Sequence, residues 1–327
     1  MKNNLIYFPD VWQDSIEELY EKMTMEQLKK IAKIHDMAGT YKYNKKQLIS
    51  VLASYVLDPE VMQEFFIYST EEELDLFDQF LYEPEDMEED DEELEYVLQY
   101  FFSGGYLLKD KKQQLVIPEE VRRVYEKINT DEFQEKHEQY NIAYNYCCGI
   151  TSLYGTASLE EITAIYNYQQ NKKMQPQEML FQIYLPSLKR KDWMVYHDGR
   201  LTERYLLEQD DIVERILKER EAYEPYIPAK SEIYDLAHGL EEVTMIFAGY
   251  LMDDLRFSVQ ESMGITEFVS KMLKIGVSPK EVFQLLQRQK IMFLNRKQME
   301  EFVQQLLDFW MELRLYTLYG HKMSEIE

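Results

Sequence analysis

Near the end of the chain, apolar residues fall at Phe302, Leu306, Phe309 and Leu313 and continue into Leu315 and Tyr316, with polar residues between them. Steps of three and four place such a set on one face of a helix, and the pattern predicts an amphipathic helix over 297–319 packed on its neighbours. Periodic segments before it predict helices over 231–238, 241–257, 266–275 and 279–287. Further upstream, helices are predicted over 59–68, 71–82, 92–102, 118–128, 131–153 and 210–222. Many starts are marked by a Ser or Thr followed three residues later by Glu or Gln, a pair that satisfies orphan backbone donors reciprocally. The pairs are Ser15/Glu18, Thr24/Gln27, Thr70/Glu73, Ser158/Glu161 and Ser278/Glu281, the last with Pro279 at the first helical position.

Two stretches break the helical period. In SGGYLLKDKKQQLVIPEEV, Gly104 and Gly105 stop a helix, YLL and QQLVI read as short strands, and KDKK is the turn between them. In DWMVYHDGRLTERYLL, the Asp198-Gly199 pair is a hairpin turn between two strands. Helices around each hairpin give a winged-helix-like layout twice over. The segment EPYIPAK, with Pro225 and Pro228, reads as a linker into an all-helical end. The fold class expected is mainly α with small β-hairpins. Its division is 1–57 (a segment holding a helical hairpin), 58–129 and 130–224 (two winged-helix-like units) and 225–327 (a helical domain).

Composition agrees with a helical, well-packed chain. The 327 residues are 45% hydrophobic, enough for a sizeable core, and Gly (11) and Pro (9) are scarce. The 26 tyrosines exceed what most cores use, which predicts many half-exposed rings. No window reaches the run of about 20 apolar residues that a membrane span needs, and MKNNLIYFPDVW does not read as a signal peptide. The two cysteines, Cys147 and Cys148, are adjacent and read as buried thiols of a reducing compartment. These features predict a cytoplasmic protein with no membrane contact.

The net charge of -25 is unevenly spread. No Lys or Arg occurs from Asp58 to Leu108, and EPEDMEEDDEELE concentrates carboxylates at Glu85, Asp86, Glu88, Glu89, Asp90 and Asp91. From Thr24 to Leu57 the balance reverses, with Lys29, Lys30, Lys33, Lys42, Lys45 and Lys46 against Glu26 and Asp36. This basic stretch runs MEQLKKIAKIHDM, then AGTYKYN, then KKQLISVL. A capped helix with a Leu-Lys core, a Gly-containing loop and a second helix opening on lysine resembles the helical hairpin of the Rho-termination-factor N-terminal and SAP-like families. The resemblance covers about 35 of the residues.

More broadly, the order of segments is similar to that of uncharacterised proteins of low-GC Gram-positive bacteria. These join such a hairpin to winged-helix-like and helical segments, some with a zinc-binding SEC-C tail. DFWMELRLYTLYGHKMSEIE resembles the segment preceding that tail, whose Cys/His ligands are absent here. The resemblance implies a nucleic-acid or protein contact at the hairpin. Lys29, Lys33, Lys42, Lys45 and Lys46 would meet phosphates, helped by the positive end of the second helix, and Tyr41 and Tyr43 would stack on bases. Lys189, Arg190, Lys191, Arg200 and Arg204, around the second hairpin, form another candidate phosphate surface. They serve equally to neutralise a helix C-terminus or to pair with the acidic run.

Catalytic signatures are missing from the sequence. His35, His137, His197, His238 and His321 are scattered without HExxH, and no Cys/His set has zinc spacing. Gly104-Gly105 precedes a strand and so makes no phosphate loop, and GxSxG does not occur. Asp253-Asp254 suits a solvated helix face, and the acidic run lacks the glycine of a calcium-binding loop. No cofactor or metal is expected. The reading the sequence favours is a non-enzymatic adaptor or regulator that contacts a protein partner and uses the basic hairpin as a nucleic-acid tip. One alternative is a DNA- or RNA-binding regulator using the hairpin and the second wing. Another is an acidic decoy whose carboxylate run occupies a basic nucleic-acid-binding surface.

Overall fold

The computed structural model describes residues 15–82, 97–109, 115–182, 194–195, 199–289 and 293–326. Packing divides the chain into two units, Met1–Ile142 and Ala143–Glu327, and both are mainly helical. Among the described residues no helix is long and apolar enough to cross a membrane.

The first unit contains α1 (Ile16–Lys22), α2 (Met25–Ile34), α3 (Lys45–Val56), α4 (Pro59–Ile67), α5 (Glu71–Tyr82), α6 (Gln99–Gly104) and α7 (Glu119–Ile128). Between α6 and α7, β1 (Leu108–Lys109) and β2 (Leu115–Val116) pair antiparallel, where a hairpin was expected. Of the KDKK turn, Lys109 ends β1, and residues 110–112 and the acidic run with Glu85 to Asp91 lie outside the described residues. The division between the units falls within α8 (Asp131–Tyr154).

One core runs through the first unit from Ile16 to Phe133. Its centre is aromatic: Phe66 meets Phe77, Phe101, Tyr106 and Tyr125 at ring-centroid separations of 4.9 to 5.1 Å. Edge-to-face and tilted rings at this spacing add to the apolar area they bury. Many rings are half-buried or exposed, as their number suggests, Tyr41, Tyr82, Tyr168 and Tyr234 among them, while Tyr20, Tyr106, Tyr125, Tyr146, Tyr154 and Tyr316 are almost wholly buried. Backbone carbonyls make part of this tolerable, since Tyr20 donates to Gly105 O at 3.1 Å and Tyr100 to Phe65 O at 2.7 Å.

The second unit adds β3 (Thr156–Ser158), α9 (Leu159–Gln169), α10 (helical over 176–182), β4 (Met194–Val195), β5 (Arg200–Thr202) and α11 (Asp210–Arg220). Then follow α12 (Glu232–His238), α13 (Glu242–Asp253), α14 (Val259–Lys274), α15 (Pro279–Arg288) and α16 (Arg296–Glu312). The expected second hairpin is β4 with β5, and β3 joins it to give an antiparallel sheet in the order β3-β5-β4. The strand β3 was not foreseen, because the three residues Thr156–Ser158, which follow Gly155 (φ +76) and end on the capping Ser158, are too few to show a period. It is secured by a buried Thr156–Thr202 hydroxyl contact of 2.9 Å.

All five expected capping pairs form, and two more appear at Asn44/Gln47 and Ser258/Glu261. The Ser258 pair starts α14 at Val259, earlier than the expected 266, because the cap rather than the apolar period fixes the entry. In α16 the stripe Phe302, Leu306, Phe309 and Leu313 is buried as predicted, but the helix ends at Glu312 instead of 319. Leu313 turns extended, Arg314 pairs with Lys322 in an antiparallel bridge, and Tyr319 (φ +54) and Gly320 (φ +82) reverse the chain. Leu315 and Tyr316 therefore enter the core from a folded-back tail, which an apolar period alone cannot distinguish from a longer helix. The proline-marked segment 224–230 has no regular structure. It is pinned by Tyr226 N–H to Tyr319 O (3.0 Å), Tyr154 hydroxyl to Tyr226 O (2.7 Å) and Gln169 amide to Pro228 O (2.6 Å).

Candidate functional site

The basic stretch folds as two capped helices joined by a short turn. In α2, Leu28, Ile31 and Ala32 face the core, and in α3, Leu48, Ile49, Leu52, Ala53 and Val56 do the same. The helical period therefore forces Lys29, Lys30 and Lys33 outward. Gly39 (φ +75) opens a single 3-10 turn, Thr40–Lys42, that delivers the chain to the Asn44 cap. The C-terminal end of α2 is held by His35, whose Nε2 lies 2.8 Å from Gly104 O.

At the tip, Tyr41 is 79% exposed and the Lys42 ammonium lies 5.7 Å from its ring centroid. Tyr43 instead packs half-buried against the core. Lys45 and Lys46 open α3. The Lys45 ammonium donates to Glu21 O at 2.7 Å, which ties it to the protein, while Lys46 points to solvent. Asn44 Oδ1 accepts the Gln47 amide at 3.0 Å, which leaves the Lys45 and Lys46 amides for an outside acceptor. Lys30 pairs with Glu26 at 3.0 Å. Among the described residues Lys29, Lys33, Lys42 and Lys46 face no carboxylate within ion-pair distance. The hairpin thus brings Lys29, Lys33, Lys42, Lys46 and Tyr41 to one exposed element.

The residues around the second hairpin divide. Lys189, Arg190 and Lys191 lie outside the described residues. Arg204 is exposed at the start of a 3-10 turn, Arg204–Leu206. Arg200 is turned into the protein, pairing with Glu161 at 3.3 Å. Glu161 is the hub of a polar knot. It accepts from the Ser158 amide and hydroxyl (2.6 and 2.7 Å), from Arg220 (3.2 Å) and from the Tyr319 hydroxyl. Arg220, 5% exposed, also donates to Thr156 O at 2.7 Å and stacks on the Tyr319 ring at 4.5 Å. Burial alone raises the Glu161 carboxyl. The hydrogen bonds from Tyr319 and Ser158 and the Arg220 charge outweigh it and hold the group below the usual carboxylate range. This knot fixes β3, β5, α11 and the folded-back tail, and is a structural use of charge.

Sequence reasoning did not find a cleft of about 600 Å³ in the second unit, lined from α8, α13, α14 and the turns after β5 and α12. Its charged residues come from distant positions: Glu203, Glu241, Glu267, Lys271 and Lys274. Lys274 pairs with Glu241 at 3.0 Å, both nearly buried, and lies 5.8 Å over the Tyr316 ring. Lys271 pairs with Glu267 and lies 5.0 Å over the Tyr205 ring. Glu203 has no hydrogen-bond or ion-pair partner among the described residues, although its own amide donates to Gly155 O at 2.9 Å. Burial raises its carboxyl above the ordinary range; Lys274 and Lys271 oppose this, and Glu241 and Glu267 reinforce it. The i, i+4 spacing of Lys271 from Glu267 was readable in the sequence, but no local pattern connects it to Glu203.

Cys147 is a buried free thiol, pushed well up by burial and by its neighbour Cys148, which is half-buried. His137 is buried against Ser69 and Asn141 and held down by burial, a packing role. Among the described residues no three His, Cys, Asp or Glu side chains are grouped so as to hold a metal ion. No protein-family model, no curated protein and no solved structure matches this chain.

Proposed function

We propose that the chain is a non-catalytic adaptor or regulator whose N-terminal hairpin, SAP-like in form, contacts a nucleic-acid backbone while the rest of the molecule contacts protein. The observation that carries this reading is the hairpin surface: Lys29, Lys33, Lys42 and Lys46 stand exposed, Lys42 beside the exposed Tyr41 ring, on an element whose other faces are sealed into an aromatic core. Lysines at that density supply the sequence-independent attraction that phosphates provide, and an exposed ring beside them is a stacking platform. The acidic remainder disfavours non-specific coating of the polyanion along the protein.

The protein-contact half of the proposal rests on the second unit. Its order of α8, β3, α9, α10, β4 and β5, with β3 beside β5, supports a winged-helix-like reading. In such a layout α10 occupies the reading position. The stretch 175–182, QPQEMLFQ, carries no Lys or Arg, and it exposes Phe181 at 75% together with Glu178. An exposed aromatic beside a carboxylate suits a protein surface better than a phosphate backbone.

The test is a fluorescence-anisotropy titration with short single- and double-stranded DNA and RNA at low and physiological salt. The structure selects Lys42→Glu/Lys46→Glu as the variant, because the Lys45 ammonium is already engaged by Glu21 O. We expect the double variant to lose at least tenfold in affinity at unchanged thermal stability. The slope of log affinity against log salt should flatten by about 0.7 for each lost single-strand phosphate contact. Equal binding by the two proteins would remove the hairpin from the account.

A further inference from the structure

The cleft of the second unit holds an arrangement that the adaptor reading does not use. Its ionic groups are matched except for one: Lys274 is satisfied by Glu241 and Lys271 by Glu267, each lysine is also laid over a tyrosine ring, and Glu203 remains. The wall also contains Thr266, 4% exposed, whose hydroxyl finds no hydrogen-bond partner. Glu203 is half-buried, so its carboxylate opens on the cleft and is an acceptor that a ligand with N–H donors would satisfy, while the enclosed Thr266 hydroxyl lies within the wall. Met245 and Met263, 46% and 45% exposed, add adaptable apolar surface to the lining.

We propose that this cleft binds an organic ammonium ion with an apolar body, its charge paired with Glu203 and its body against Met245 and Met263. One added positive charge balances the three carboxylates against the two lysines. An anionic ligand finds no equivalent, since both lysines are already engaged by carboxylates and rings. The dimensions suit a small metabolite-sized amine and not a peptide strand, since about 600 Å³ lies within the usual range for small-molecule sites.

The probe set is hexylamine, hexanol and hexanoate, which share a body and differ in charge, titrated calorimetrically into the full-length protein at neutral pH. Hexylamine is expected to bind, with hexanol and hexanoate at least tenfold weaker. Glu203→Gln is expected to weaken hexylamine at least tenfold while keeping the melting temperature at or above that of the parent, since it removes an unpaired carboxylate. Met245→Lys, at a half-exposed position that folding tolerates, should weaken the amine by adding a like charge at the cleft wall. Absence of hexylamine binding, equal binding of hexanoate, or undiminished binding to both variants would each overturn the assignment. The hairpin titration is independent of these outcomes, so the two readings fail separately.

Discussion

Arg220→Ala should cost the second unit about 3–5 kcal/mol, read as a lowered urea midpoint at unchanged slope. The size follows from what the guanidinium leaves behind. Glu161 loses a buried partner at 3.2 Å, Thr156 O loses a donor at 2.7 Å, and the Tyr319 ring loses a stacked cation at 4.5 Å. Breaking this pair is expensive because Glu161, only 24% exposed, is left with the more exposed Arg200 as its cation. Arg200→Ala is the control, since Arg200 reaches the same carboxylate from a side chain 27% exposed and should cost no more than about 1 kcal/mol. The knot also sets a pH dependence. The Glu161 carboxyl is lowered on folding, so its stabilising contribution is present above the unfolded value of about 4.3 and is lost as pH falls through the folded value. Glu161→Gln should therefore flatten the acid limb of a pH–stability curve, which chemical denaturation between neutral pH and the acid limb reads directly.

Gly105→Ala is expected to destabilise the first unit by about 2–5 kcal/mol, combining a left-handed backbone with overpacking. Gly105 has φ +80 after α6, a conformation a side chain resists. An added Cβ would lie 2.5 Å from the Tyr20 hydroxyl and 2.9 Å from Ile31. Both neighbours are core residues of α1 and α2, so neither can swing into solvent, and the Tyr20 bond to Gly105 O is strained as well. Gly39→Ala separates the two terms. Its φ is +75 but nothing lies nearer than 4.0 Å, so only the backbone cost of about 1–2 kcal/mol should appear. The comparison bears on function, because Gly105 is where the hairpin seats on the body; the Ala variant should loosen the tip without touching a lysine.

The features legible in the sequence were the local ones. Capping pairs, the stripe from Phe302 to Leu313, the Gly104-Gly105 stop and the two hairpins each rest on residues a few positions apart, where period and turn chemistry act. The surface lysines of α2 followed from the same period once the buried side was known. Long-range pairings were not legible. β3 exists because Thr156 finds Thr202, the tail folds back because Arg314 meets Glu232 and Glu325, and the cleft gathers Glu203, Glu241 and Lys274 from separate elements. Which tyrosines are buried was not legible for the same reason: the carbonyls that accept from Tyr20 and Tyr154 lie 85 and 72 residues away in the chain.

The central claim is that the hairpin, and not another surface, meets nucleic acid, and amide chemical-shift mapping on addition of a short single-stranded oligonucleotide at physiological salt tests it most directly. The account predicts shifts concentrated at Gly39 to Gln47, above all at the Lys45 and Lys46 amides, with Asn44 and the α3 start following. Shifts centred instead on Arg200 to Leu206 or on 176–182, with the hairpin silent, would contradict it.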